Sequence, residues 1–360
     1  MPSQTLPAVW TERHRLHDPG GEVWVGVSIP GTEVVARGDL IRAALAEAGF
    51  SIVDPVVHDP SHLHRVHDPA MVDYLRTAHD NWVAAGYPED PGQDRVVPYV
   101  FPLPQAVADR PFRLPAAPSA RAGVYTTDTT TLIGPGTYAA ALSAADCALT
   151  AAEMVLGGTR AVYAACRPPG HHAGRGFFGG SCYLNNAALS AQALRDGGVD
   201  RVAVVDLDAH HGNGTQDIFY DRADVLYSSV HVDPGAGWFP HFVGFADERG
   251  RGPGEGANLN CPMAPGGGDG PWLEAVEALC TAAAGHRADA LVVSLGVDGA
   301  AGDPESPLDI SADGFCRAAE ALAGLGLPTI FVQEGGYDLD RLGGLVVGTL
   351  SAFATPGGHR

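Results

Sequence analysis

The sequence predicts an α/β fold, a single three-layer α/β/α unit built on a mostly parallel central sheet and occupying residues 1–360. Short Val-rich runs alternate with longer Ala/Leu-rich segments, the pattern of β-α units feeding a parallel sheet. Runs such as VAVV and ALVVS are apolar at every position, so helices must cover both faces of the strands that hold them. Several helical segments stop at glycine, as in AEAGF, VLGGT and RDGGV.

In chain order, the first expected strand is Val23–Ile29, followed by helices over Asp39–Ala48 and Ala70–Ala85. Between these helices the run VVHDPSHLHRVHDP places His58, His62, His64 and His67 at irregular spacings with no partner motif, which reads as loop surface. From Gly86 to Ala122 proline is frequent and periodicity vanishes, so this stretch reads as a long excursion from the domain. A helix over Thr137–Leu156 leads into a strand over Arg160–Cys166, then a helix over Ala187–Arg195 and strands over Arg201–Asp208 and Val225–Val232. Asp247–Gly270, rich in Gly and Pro, reads as a second surface loop. The remaining elements are helices over Pro271–Ala284, Ala312–Ala323 and Leu339–Ala354, with strands over Ala290–Asp298 and Pro328–Gln333.

Lys and Arg total 22 against 42 Asp and Glu, a net charge of −20 that repels phosphate backbones and anionic lipid. Nucleic acid and membrane surfaces are therefore not expected as partners. The six cysteines form no CxxC pair and no dense framework, which fits reduced thiols. With no apolar signal core near Met1 and no uncharged apolar run approaching about 20 residues, a cytoplasmic protein is expected.

The segment VVDLDAHHGNGTQ carries the most chemistry. Asp206, Asp208 and His210, spaced by two at the carboxyl end of an apolar strand, begin on one face, where open parallel sheets place their ligands. Carboxylates in such a place need a compensating positive charge, and a divalent metal supplies one. ALVVSLGVD ends in Asp298, which completes two carboxylates and one imidazole with coordination positions left open. Zinc suits this set, while Fe2+, Co2+ or Mn2+ would also bind an oxygen-rich site. RPPGHHAG delivers the adjacent pair His171 and His172, of which one could serve as general base while its neighbour sits against a carboxylate such as Asp206. FVQEGGYD could swing the Tyr337 hydroxyl toward a developing oxyanion.

The blocks RPPGHHA, DLDAHHGNGTQ, SLGVDGAAGDP and EGGY resemble the signatures of the histone deacetylase superfamily, across about residues 15–355. The resemblance implies the arginase/deacetylase fold and hydrolysis of an acyl amide by metal-activated water, with no covalent enzyme intermediate. It implies one zinc on Asp208, His210 and Asp298, His172 as general base and then acid, His171 held by Asp206, and Tyr337 polarising the carbonyl. A structural potassium ion is implied at Asp206, Asp208, His210, Ser229 and Val230. The partner of His172 is Asn213 where some members have aspartate, as in class II deacetylases and acetylpolyamine amidohydrolases. In the implied substrate tunnel Phe239 forms one wall and Ser181 stands where an aromatic residue is usual, with Gly180 and Trp238 adjoining.

HVDPGAGWFPHFVGFADERG and LRTAHDNWVAAGYPEDPG are most similar to acetylpolyamine amidohydrolases and class II-like bacterial deacetylases. That similarity implies a small acylated amine as substrate and a homodimer contact through 86–122. The late part of the excursion, however, holds Arg110, Arg113 and Arg121 around the single acid Asp109, leaving Glu89, Asp90 or Asp94 as candidates to meet a cationic substrate. The alternatives are a protein acetyl-lysine deacetylase, a deacylase of a secondary-metabolite intermediate and a catalytically silent amide-binding module, though no expected site residue is missing. A two-manganese ureohydrolase would need further carboxylates where Gly212 and Ala300 stand.

Overall fold

The computed structural model describes residues 6–108 and 110–355, so Asp109 lies outside the described residues. Its strands are β1 (Ala8–Val9), β2 (Glu22–Trp24), β3 (Val27–Ile29), β4 (Ile52–Val53), β5 (Ala161–Ala164), β6 (Val202–Asp206), β7 (Val225–Val232), β8 (Asn258–Met263), β9 (Ala290–Leu295) and β10 (Thr329–Gln333). Eight of them form one sheet in the order β4-β1-β5-β10-β9-β6-β7-β8, and every pairing in it is parallel.

The helices are α1 (Ala36–Glu47), α2 (Pro69–Ala84), α3 (Pro104–Val107), α4 (Pro118–Tyr125), α5 (Thr137–Leu156), α6 (Asn186–Asp196), α7 (Asn213–Phe219), α8 (Asp269–His286), α9 (Ala312–Gly324) and α10 (Leu342–Ala354). Side chains of a strand point alternately to the two faces, so β6 sends Val202 and Val204 to one core and Ala203 and Val205 to the other. α2, α5 and α6 close the first core; α1, α8, α9 and α10 close the second. Truncating a Leu or Ile buried this deeply costs about 2–5 kcal/mol, so each layer contributes far more than the capping bonds at its helix ends. Those caps follow the sequence: Asp68, Asn185 and Ser311 accept from the first turns of α2, α6 and α9.

α5, at 20 residues, is apolar enough by length and composition to cross a membrane, yet it is mostly buried among α6, β5 and β10. Its bounds are those the sequence pattern predicts for a helix, and it carries Asp146 and Glu153.

Four expectations are corrected. Val23–Ile29 is not a strand of the main sheet but an antiparallel hairpin, β2 and β3, because Val25 (φ 49°) and Gly26 (φ 80°) make a two-residue turn between Trp24 and Val27. Asp247–Gly270 is not all loop: NLNCPM pairs with β7 as the edge strand β8, its pattern hidden by flanking Gly and Pro. The excursion 86–122 contains α3 and the start of α4, each opened by a proline in its first turn. His67 is fully buried and bridges the Gly174 carbonyl (2.8 Å) and the Asn185 N–H (2.9 Å), so this part of the histidine run is a core brace.

The order β5-β10-β9-β6 positions the site. The segments bearing His171 and His172, Tyr337, Asp298, and Asp206 to His210 follow these four strands, which are adjacent.

Candidate active site

Asp208 and Asp298 are buried, and His210 Nδ1 lies 3.2 Å from Asp208 Oδ1 and 3.0 Å from Asp298 Oδ2. Backbone amides fix both acids: Ala209 N–H donates to Asp298 Oδ1 (2.8 Å), His210 N–H to Asp208 Oδ1 (2.9 Å) and Gly335 N–H to Asp208 Oδ2 (2.7 Å). Chain packing around them is so close that a Cβ on Gly296 would fall 2.0 Å from Asp208 Oδ2, and one on Gly335 would fall 2.4 Å from Asp298 Oδ2. One ligand atom from each of Asp208, His210 and Asp298 lies within 4.8 Å of the others, a donor set that one divalent ion fits. Electrostatics point the same way. Burial disfavours charge on both acids; for Asp208 this is outweighed by His171 and His210, which hold it well below the usual carboxylate range. Burial and the Asp208 charge push Asp298 up to about 7. Two acids competing for one imidazole are what a metal cation relieves.

Beside them stand two histidine pairs. His171 Nδ1 is 3.1 Å from Asp206 Oδ2, and that carboxylate also accepts from the Tyr227 hydroxyl (3.2 Å). His172 Nδ1 is 2.7 Å from Asn213 Oδ1; a carbonyl oxygen only accepts, so Nδ1 carries the proton and Nε2 is left as the base. Their environments separate them. Burial alone would lower His171, but Asp208 and Asp206 outweigh it and push it up to about 10. Burial, with the charges of His171 and His210, holds His172 well below its ordinary value.

Tyr337 lies at the same cleft, its ring 4.6 Å from the Arg37 guanidinium, and burial pushes its phenol well above the usual range. Its N–H donates to Asp303 (2.8 Å), which fixes the turn. Arg37 in turn donates to the carbonyls of Gly336 (2.7 Å) and Glu334 (2.6 Å). Arg37 is held by the buried Glu33, which also pairs with Arg167 at 2.8 Å. Burial opposes the Glu33 charge, but Arg167 and His17 outweigh it and hold that carboxyl well below its usual range.

The cleft has a volume of about 440 Å³ and joins His172, His210 and Tyr337 to Gly180, Ser181, Trp238 and Phe239. Gly180 is required: at φ 55° it lies against His172, where a Cβ would come within 2.3 Å of Cδ2. The Phe239 ring stands edge-on to His172 at 4.8 Å. Ser181 lines the cleft too, and the hairpin adds an aromatic wall, Trp24, that the strand expectation for 23–29 concealed. The hairpin also brings Glu22, and the loop after Asp303 brings Glu305; both line the cleft. Burial first, and Glu305 second, push Glu22 up to about 7. Glu89, Asp90 and Asp94 do not line this cleft, and Asp94 pairs with Arg95. Ser229 and Val230 sit deeper, on β7, with Ser229 in register with Asp206 and bonded to His231 at 2.8 Å. Gly212 lies so close to Asp206 that a Cβ there would fall 2.3 Å from Oδ2.

The histone deacetylase domain profile matches residues 32–353. The chain belongs to the histone deacetylase family. Members similar to it over nearly their whole length include acetylpolyamine amidohydrolase 1 of Pseudomonas aeruginosa, 42% identical and covering 96% of this chain and 98% of that protein. The acetylpolyamine amidohydrolase of Mycoplana ramosa is 39% identical, covering 97% of this chain and 100% of that protein. Among solved structures, the acetylpolyamine aminohydrolase of Burkholderia pseudomallei superposes with a TM-score of 0.91 at 37% identity, covering 98% of this chain and 99% of that one. Family membership makes the chain a hydrolytic deacetylase and confirms the expected fold.

Proposed function

We propose that this enzyme removes an acetyl or similar acyl group from small amines that keep a second, positively charged nitrogen, as the names of its relatives suggest. The observation that carries the reading is the cleft itself, where His172, His210 and Tyr337 sit at the foot of aromatic walls and Glu22 and Glu305 stand beside them. Asp208, His210 and Asp298 would hold a zinc ion, with Fe2+, Co2+ or Mn2+ able to replace it. Bound there, zinc polarises the amide carbonyl and lowers the pKa of water toward about 7.

The chain's own residues do the rest. His172 Nε2, neutral because burial lowers it, takes a proton from the attacking water and returns it to the leaving amine. Asn213 keeps the other ring nitrogen protonated, so the basic lone pair faces the substrate. His171, held positive by Asp208 and Asp206, stabilises the negative charge that builds during attack. The Tyr337 hydroxyl, kept protonated by burial, donates to the oxyanion. Asp206, Asp208, His210, Ser229 and Val230 would hold potassium, a reading supported by the buried Asp206 carboxylate lying in register with Ser229.

The reading treats residues 1–360 as one catalytic domain of a cytoplasmic homodimer. Support for the dimer comes from the excursion, where Tyr99, Leu103, Phe112 and Leu114 are more than half exposed and Val100, Phe101, Val107 and Phe112 line an apolar cleft of about 490 Å³. Apolar patches of that kind mark contact surfaces.

The test is a panel of purified, zinc-loaded enzyme with N-acetylputrescine, longer acetylated polyamines, acetyl-lysine peptides and a folded acetylated protein. The proposal expects the highest kcat/KM on the acetylated di- and polyamines. Equal rates on the folded protein would overturn the small-amine reading in favour of a protein deacetylase.

A further inference from the structure

Among the buried titratable groups, Glu334 is not used by the mechanism above and has no accessible surface. Its Oε2 accepts two backbone N–H groups, Gly170 at 2.7 Å and His171 at 3.1 Å, while Oε1 has no partner. These N–H groups belong to the segment that carries both catalytic histidines. The backbone of Glu334 opens the turn that carries Tyr337: its carbonyl takes the Arg37 guanidinium, and the next N–H, of Gly335, donates to Asp208. Glu334 and the next residue thus join the histidine segment to the tyrosine turn and to Asp208. We propose that Glu334 is a positioning residue for the His171–His172 dyad, acting through the N–H groups of Gly170 and His171.

The His171 carbonyl is held separately, by the N–H groups of Gly214 (3.0 Å) and Thr215 (3.1 Å), but among the described residues Glu334 is the acceptor for those two amides. Gly170 is pressed against the neighbouring chain, where a Cβ would lie 2.5 Å from the Asn186 nitrogen and 2.6 Å from the Leu184 carbonyl oxygen. Close packing on one side and the Glu334 acceptor on the other leave the His171–His172 backbone one position. Placement of a proton-transfer group within a fraction of an ångström decides its contribution, and a shift of about 1 Å can cost on the order of 10²-fold in rate. His171, Cys182 and Glu334 lie within reach of a single metal ion as well. Cys182, however, is held as a thiol by burial and His171 is bonded to Asp206, so these groups hold protons. Burial also pushes Glu334 up to about 7, which makes a neutral side chain of the same length a fair replacement.

The inference rests on the deacetylase reading only for its rate readout, and three variants separate reach from charge. Glu334→Gln keeps an oxygen acceptor at the same distance without the charge; Glu334→Asp keeps the charge but falls one methylene short; Glu334→Ala removes both. The readouts are kcat and KM per zinc-loaded chain, with amide hydrogen exchange at residues 170–172 as a measure independent of turnover. The expected result is near-native kcat for Glu334→Gln, and for Glu334→Asp a kcat lowered about 10- to 100-fold with KM and metal content unchanged and exchange at 170–172 accelerated. Should Glu334→Ala fail to fold, the Gln and Asp pair decides alone. A Glu334→Asp enzyme with native kcat, or a Glu334→Gln enzyme as impaired as Glu334→Asp, overturns the proposal. Absence of any deacetylation by the native enzyme would count against the functional reading instead, while the exchange measurement would still judge Glu334.

Discussion

Tyr337 and Glu22 both line the cleft, and burial raises the pKa of each. Burial keeps the Tyr337 phenol protonated, and the Asp303 carboxylate and Arg37 hold its turn, so it is a fixed donor. Tyr337→Phe is expected to lower kcat by about 10²–10³ with metal content intact, measured on zinc-loaded protein. Glu22 makes a prediction in pH. Its carboxyl is pushed up to about 7 from an ordinary 4.5, so the folded protein favours the protonated form. The ionised form grows only as pH rises through that value, and with it the attraction for an ammonium group. KM for N-acetylputrescine is therefore expected to fall between about pH 6 and pH 8, whereas KM for uncharged N-butylacetamide should stay level. In Glu22→Gln the fall for N-acetylputrescine should disappear, leaving KM level for both substrates. At this scale most of the side chains that converge on the cleft could be picked out in the sequence, because they sit in contiguous blocks such as DLDAHHGN and RPPGHH. It concealed Glu22, Trp24, Glu305 and Glu334, which reach the site through a hairpin, a loop and a strand end with no spacing rule to connect them.

The long helices and the apolar strands, β7 among them with the bounds expected, were legible and the shortest elements were not. α5 begins and ends where its Ala-rich pattern does, and α9 overruns its expected end by a single residue. β1 and β4 have two residues each, too few for any alternation to register, and they are strands only because the sheet edge offers them backbone partners. The excursion is the element with the largest consequence. Its aromatic and aliphatic side chains face outward around a cleft lined by Val100, Phe101, Val107 and Phe112. If the excursion forms the proposed homodimer contact, the double variant Phe101→Ser/Phe112→Ser is expected to shift the protein toward monomer in sedimentation velocity while leaving its thermal unfolding temperature close to native. A native sedimentation profile would count against a dimer contact through this segment.

The whole molecule is a sheet that delivers four chain segments to one place. Strands β5, β10, β9 and β6 are adjacent although they come from distant parts of the chain, and parallel pairing puts all their carboxyl ends on one edge. The parallel sheet could be read from its apolar strands, but the order of the strands could not, since nothing in a single strand names its neighbour. That order is what makes a chemical unit of Asp208, His210 and Asp298, and the central claim is that these three groups hold the ion on which hydrolysis depends. The most direct measurement is turnover of N-acetylputrescine by chelator-stripped enzyme during titration with zinc, alongside Asp298→Ala. The account predicts no turnover without metal, full recovery at one zinc per chain, and neither zinc retention nor recovery in Asp298→Ala. Hydrolysis at the native rate by the stripped enzyme, or by Asp298→Ala, would contradict it.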